Sequence, residues 1–192
     1  SQLMAGLFER HDRGRFDVAA YSYGPDDGSP MRARLSRAFD QFVDVGKLSH
    51  RETANRIHQD QIDILIDLKG YTHGSRPMIP AFRPAPVQVS YLGFPATMGA
   101  DFIDYILVDR VVVPESDQAF FSEKVVWMPA SYQPNGAGHD EIAPATSRTD
   151  CGLPEASMVL CCFNNSYKLS PQIFDIWMRL LDRATGSQLW LL

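Results

Sequence analysis

Three short polar stretches of this sequence hold the residue types that do chemistry, and each directly follows an apolar run. They are "GYTHGSR" at 70–76, "LGFPATMG" at 92–99 and "NNSYKLSP" at 164–171. In the third, "SMVLCCF" at 157–163 breaks into two amides, a hydroxyl, a phenol and an ammonium just before a helical pattern. Ser170 has the residue type of an N-cap and Pro171 suits the first helical position. A helix N-terminus presents unpaired N–H groups and the positive end of the macrodipole, which suits an anion. Lys168 stands two residues before that cap, where its ammonium adds to the same field, with Asn165 and Tyr167 beside it. Phosphate is the natural guest. A solvated lysine next to a capped helix is the plainer reading, and the residues alone leave both open. In the other two stretches Gly permits close backbone approach and positive φ. Tyr71, Thr72 and Arg76 supply directional hydrogen-bond donors there.

The elements that must position these stretches alternate. Residues 2–11 read as a helix with Leu3, Leu7 and Phe8 on one face, and 17–24 as a strand followed by a turn. Met31, Leu35, Ala38 and Phe39 have helical spacing, and "FVDV" at 42–45 is a short strand. Ser49 and Glu52 form a capping box that opens a helix running to about Gln59. The apolar run "IDILIDL" (62–68) predicts a parallel strand covered on both faces. "VQVSYLG" (87–93), "DYILVD" (104–109) and "KVVWMP" (124–129) predict further strands. Residues 130–150 are small, polar and aperiodic, and read as a linker or surface loop. A strand at 157–163, a helix at 170–183 and a strand at 188–192 follow. The last helix has Ile173, Ile176, Trp177, Leu180 and Leu181 as its expected buried stripe. Alternation of this kind predicts an α/β fold with doubly wound, Rossmann-like parallel sheets, in which ligands bind outside the carboxyl ends of the strands. All three polar stretches lie at such ends.

Composition narrows the function. The formal net charge is −5 and no basic stripe interrupts the sequence, which argues against general affinity for nucleic acid or an anionic membrane. No apolar run approaches the ~20 residues of a membrane span. The cysteines, 151, 161 and 162, are odd in number and lack metal-ligand spacing, so a reducing, cytoplasmic compartment is expected. Among other candidates, His58 reads as a helix-surface residue, and Asp26-Asp27-Gly28 as a turn without the rest of a calcium-ligand pattern. Asp101, Asp104 and Asp109 read as strand-end caps, and Arg83-Pro84-Ala85-Pro86 as a stiff lead into the next strand. Gly-x-Ser-x-Gly, Walker and Gly-x-Gly-x-x-Gly patterns do not occur.

Together, "GYTHGSR", "RPAPVQVSYLGFPATMGADFIDYILVD", "SEKVVWMP" and "CCFNNSYKLSPQIFDIWMRLL" resemble the O-linked N-acetylglucosamine transferases and their Spindly-type relatives, most closely bacterial members with a short 130–150 connector. The resemblance runs over essentially all 192 residues. It implies a GT-B glycosyltransferase that is incomplete in this chain. Residues 1–129 would be most of the first Rossmann-like catalytic domain without its first strand, 130–149 a connector, and 150–192 the opening β-α-β unit of the donor-binding domain. An Asp…His-Pro segment carrying an active-site His is expected ahead of Ser1, most UDP-binding segments beyond Leu192, and tetratricopeptide repeats commonly precede the domain.

Carried over by position, the resemblance implies that Lys168 contacts the donor diphosphate and stabilises departure of UDP, with Tyr167 beside it. Asn165 stands where animal enzymes have Gln near the nucleotide. Leu92, Gly93 and Pro95 match the loop lining the sugar pocket, and Tyr71, Thr72 and Arg76 the segment facing acceptor and sugar. His73 replaces a Lys common in animal members. The implied reaction is metal-independent transfer of N-acetylglucosamine from UDP-GlcNAc to Ser/Thr hydroxyls of a protein acceptor, with inversion and without a cofactor. Two alternatives stay open: a protein O-fucosyltransferase using GDP-fucose, and a non-catalytic peptide-binding module. The 192-residue chain by itself is expected to be inactive.

Overall fold

The computed structural model describes residues 2–135 and 146–191. The chain forms two compact units, Ser1–His139 and Asp140–Leu192. The expected connector at 130–149 falls partly on 136–145, outside the described residues.

The first unit opens with α1 (Gln2–Glu9), whose buried residues are Met4 and Ala5 rather than the expected Leu3 face. Leu3 is 39% exposed, because the packed surface lies one position further along the helix. The order continues with β1 (Ala19–Ser22), α2 (Pro30–Arg37), β2 (Gln41–Asp44) and α3 (His50–Gln59). α3 starts at the capping box expected from the sequence, and α2 at a cap, Ser29, that the sequence reading did not single out. The Ser29 hydroxyl accepts from the Arg32 N–H. At α3 the Ser49 and Glu52 side chains and backbones satisfy each other reciprocally, removing two of the orphan donors that every helix start carries. The Asp26-Asp27-Gly28 stretch is a turn, its carboxylates accepting from the Gly28 and Ser29 N–H groups.

After α3 come β3 (Ile64–Asp67), the short α4 (Met78–Ala81), β4 (Val87–Tyr91), β5 (Tyr105–Val108), a 3₁₀ turn at Glu115–Phe120 and β6 (Lys124–Trp127). β1 and β2 pair in parallel as one sheet, and β3-β4-β5-β6 form a second, all-parallel sheet in that order. Parallel neighbours need long crossovers. Here β4 to β5 and β5 to β6 are joined by loop and 3₁₀ structure instead of full helices, which frees long segments to build a site.

Two clusters form the core. Ala54, Ile57 and Ile79 pack with Tyr21, Ile62 and Leu65, joining α3 and α4 to β1 and β3. Ile106, Val108, Val113 and Val125 pack with Phe121 and Trp127 under the far strands. β3 is not covered on both faces as its unbroken apolar run suggested. Leu65 faces the first cluster, but Ile64 and Ile66 are 56% and 47% exposed, since alternate side chains of this edge strand point away from α3 and α4.

The second unit has β7 (Val159–Cys162), a 3₁₀ turn (Ser166–Lys168), α5 (Pro171–Arg183) and β8 (Gln188–Leu191), with β7 and β8 paired in parallel. The expected stripe of α5 divides: Ile173, Trp177 and Leu181 are half-buried, whereas Ile176 and Leu180 are exposed. Two strands cover only one flank of the helix. Among the described residues, no helix is long and apolar enough to cross a membrane.

Candidate functional site

Two loops at the carboxyl ends of β3 and β4 are built into one another. The first begins at Asp67, whose carboxylate accepts from the Lys69 and Gly70 N–H groups at 3.0 and 3.1 Å. That folds the chain back immediately after the strand, in the manner of an Asx turn. Burial pushes the Asp67 carboxyl above its ordinary value, although its two backbone hydrogen bonds and Lys69 pull the other way. Gly70 takes φ +51°. Thr72 closes the next turn, its N–H and hydroxyl both donating to the Lys69 carbonyl.

The second loop turns on Leu92. The Gly93 N–H donates to the Tyr91 carbonyl at 2.9 Å, a three-residue turn whose central residue, Leu92, sits at φ +69°. A γ-turn of this hand is rare and strained for a residue with a side chain. It drives Gly93 against the first loop: a Cβ at Gly93 would stand 2.2 Å from the Leu68 carbonyl oxygen. Reciprocally, a Cβ at Gly70 would stand 2.5 Å from the Phe94 Cβ. Glycine is required at Gly93 because the Leu68 backbone passes within contact, and at Gly70 because the Phe94 side chain does and φ is positive.

Side chains finish the junction. The Tyr71 hydroxyl donates to the Met98 carbonyl at 2.9 Å, and its ring meets Phe94 edge-on at 5.6 Å between centroids. Tyr71 remains 52% exposed, so one face of the ring is open to a ligand. Pro95 is exposed beside Phe94. Tyr71, Thr72, Leu92, Gly93 and Pro95 therefore form one continuous rim.

Arg76 does something different. Its guanidinium donates to the Val45 and Leu48 carbonyls at 3.1 and 2.6 Å and lies over the Tyr23 ring. It ties the first loop to the end of β2. Lys69 lies over the same ring and donates to the His73 carbonyl.

Of the expected strand-end caps, Asp104 and Asp109 accept backbone N–H groups as caps do. Asp109 accepts from the Val111, Val112 and Tyr132 N–H groups, each at 2.9 Å. These bonds, led by that from Tyr132, hold its carboxyl below the ordinary range. Asp104 accepts from the Gln88 N–H and pairs with Arg83. Burial raises the Asp104 carboxyl, but the backbone bond and the guanidinium outweigh that and leave it depressed. His58 is an exposed helix residue.

Asn165, Tyr167 and Lys168 lie in the second unit. The 3₁₀ turn Ser166–Lys168 is closed by the Lys168 N–H on the Asn165 carbonyl and the Leu169 N–H on Ser166. Lys168 Nζ is 6.0 Å from the Tyr167 ring centroid, and both side chains are exposed. At the start of α5, the Ser170 hydroxyl accepts from Ile173 and the Ser170 carbonyl from Phe174. Pro171 carries no N–H. The first turn thus leaves Gln172 to offer its N–H to a guest, and the macrodipole and Lys168 must supply the rest of an anion's stabilisation. Among the described residues, no group of three or more His, Cys, Asp or Glu side chains is arranged to hold a metal.

Sequence reading missed two carboxylates that bind these loops: Asp67, and Glu123, which accepts from the Met98 N–H. Asp67 is masked by the apolar run around it, and Glu123 reads as one more charge beside Lys124. An ionisable residue embedded at the edge of an apolar strand is the signal that would have found both.

The model for glycosyl transferase family 41 matches residues 1–135 and 133–192. A probable UDP-N-acetylglucosamine–peptide N-acetylglucosaminyltransferase of Arabidopsis thaliana is 41% identical over all of this chain, which spans 20% of that protein. The corresponding enzyme of Caenorhabditis elegans is 41% identical over 69% of this chain and 12% of its own length. A mutant O-GlcNAc transferase from Thermobaculum terrenum superposes with a TM-score of 0.84 at 29% identity, covering 98% of this chain and 35% of that structure. The chain thus spans a fifth or less of these two curated relatives. With its parallel sheets and Rossmann-like layering, it has a partial fold of the GT-B glycosyltransferase type, and it belongs to glycosyl transferase family 41.

Proposed function

We propose that the protein containing this chain is an inverting protein O-GlcNAc transferase, which moves N-acetylglucosamine from UDP-GlcNAc to Ser/Thr hydroxyls of a protein acceptor. The observation that carries the reading is the rim at the carboxyl ends of β3 and β4. There, strained Leu92, Gly93 and the half-exposed Tyr71 ring offer an amphipathic surface on which a sugar can rest. The relatives named as N-acetylglucosaminyltransferases support the same substrate class. On this reading residues 1–129 are most of the first catalytic domain, 130–149 a connector and 150–192 the opening of the donor domain.

In the reaction the acceptor oxygen attacks the anomeric carbon. The bond from that carbon to the diphosphate oxygen breaks, UDP leaves with the electron pair, and the hydroxyl proton passes to the departing diphosphate or to water. Lys168 is the residue that stabilises the charge growing on the diphosphate, helped by the positive end of α5, with Tyr167 and Asn165 flanking the nucleotide. Leu92, Gly93 and Pro95 line the sugar, while Tyr71 and Thr72 meet sugar and acceptor. Arg76 holds their loop from behind. A lysine and a helix dipole do the work of a cation, so the proposed reaction needs no metal. The three free thiols fit a cytoplasmic setting.

The test is turnover by the full-length protein with UDP-GlcNAc and with GDP-fucose, each with and without EDTA. GlcNAc transfer that EDTA leaves unchanged is expected. Lys168→Ala should lower kcat by about 10²–10³-fold, the usual cost of one charge-stabilising contact. Transfer of fucose instead, or unchanged kcat in Lys168→Ala, would refute the donor and the lysine role respectively.

A further inference from the structure

Glu123 stands immediately before β6 and is only 3% exposed, the most deeply buried carboxylate among the described residues. One of its oxygens accepts from the Met98 N–H at 2.6 Å. The other accepts from the Thr97 hydroxyl at 2.7 Å and the Ser122 hydroxyl at 3.2 Å. A buried carboxylate is costly unless hydrogen bonds satisfy it, and these bonds reach the 92–104 crossover at one place. The backbone on both sides of the Met98 Cα is thereby held, its N–H by Glu123 and its carbonyl by the Tyr71 hydroxyl. Met98 itself is buried, and its sulfur would touch a Cβ at Gly70 at 3.1 Å. A continuous relay thus runs from the start of β6 through Met98 to Tyr71, and from the Tyr71 ring to Phe94.

We propose that Glu123 is a positioning residue: by holding the Met98 backbone through its N–H it places the carbonyl that anchors the half-exposed Tyr71 ring at the sugar- and acceptor-facing rim. This rests on the transferase reading above. Without the carboxylate the Met98 backbone loses its fixed direction, and Tyr71, whose hydroxyl donates to the Met98 carbonyl, loses its anchor. A residue serving stability alone would leave the rim geometry of folded molecules unchanged.

The experiment uses the full-length protein with Glu123→Ala, Glu123→Gln, Tyr71→Phe and the Glu123→Ala/Tyr71→Phe double variant. Kinetics with UDP-GlcNAc and an acceptor peptide are paired with amide hydrogen exchange. Glutamine keeps a carbonyl oxygen for the Met98 N–H, and the Ser122 hydroxyl, which donates to the carboxylate, can turn to accept from its amide. Glu123→Gln should therefore stay within about twofold of wild type, while Glu123→Ala and Tyr71→Phe each lose about tenfold in kcat/KM, mostly as a raised peptide KM. Because the residues act in series, the double variant should be no more than about twofold worse than the poorer single. Exchange should rise at 70–76 as well as 97–99 in Glu123→Ala, with β5 still protected as a control for folding. Additive losses, a folded Glu123→Gln as impaired as Glu123→Ala, or exchange confined to 97–99 would overturn the proposal. If wild type transfers no GlcNAc, the transferase reading falls, and the exchange pattern alone decides the role of Glu123.

Discussion

Gly93 allows no side chain, since the atom a Cβ would strike is the backbone carbonyl of Leu68, 2.2 Å away. Gly99 is a useful contrast, because it has positive φ (+59°), which Gly93 does not, and faces open space. A left-handed conformation costs a residue with a Cβ about 1–2 kcal/mol, and that is all Gly99→Ala should lose. Gly93→Ala carries no such backbone cost but must push two loops apart, for about 1–3 kcal/mol of overpacking. We expect thermal unfolding to register both substitutions and transferase turnover of the full-length protein to fall only with Gly93→Ala. Equal turnover in the two variants would mean that the contact between the loops does not shape the rim. Leu92 belongs to the same feature, as the strained turn at its position is what brings Gly93 to Leu68. From the sequence, Gly93 was a residue that permits close approach; which backbone approaches it came only from the fold.

At the scale of elements, the helix starts are local and the sheets are not. Ser49 with Glu52, and Ser170 with Pro171, satisfy orphan N–H groups within one turn of chain, so their spacing announces them. Replacing Ser170 by Ala removes the hydroxyl that accepts from Ile173 and should cost about 1 kcal/mol. In a unit whose described residues include none that is fully buried, that loss should appear as faster amide exchange over the first turn of α5. It should also appear as a higher donor KM if the helix end helps hold the diphosphate. An unchanged donor KM alongside faster exchange would separate the cap from the site. The strands are a different case. "IDILIDL" reads as a strand buried on both sides, yet β3 is the edge of its sheet and leaves Ile64 and Ile66 exposed. Apolar content says what a strand can bury, and the neighbours decide what it does bury.

Over the whole molecule, the two units differ in how much core they hold. The first contains both buried clusters. The second leaves Met158, Leu160, Phe163, Ile176 and Leu180 exposed around one helix and two strands. Local stability follows buried contacts, so the 192-residue chain should not unfold as one cooperative unit. Exchange or limited proteolysis should open residues 146–191 well before β4 and β5, and a single concerted transition would contradict this. The same chain, spanning about a fifth of its Arabidopsis relative, is expected to show no transferase activity alone; GlcNAc transfer by it would overturn that expectation.

The sequence by itself determined the features that depend on neighbours along the chain: helix caps, turn glycines, the alternation of strands and helices, and the order of the three polar stretches. It also brought Lys168 to the mouth of a capped helix, because Ser170 and Pro171 fix that start locally. Tertiary structure alone decided which loops meet and what holds them. The backbone contact of Leu68 with Gly93, the use of Arg76 to anchor a loop to β2, and the relay from Glu123 through Met98 to Tyr71 join residues far apart in sequence. Their partners are chosen by strand order and crossover path, which no local spacing encodes.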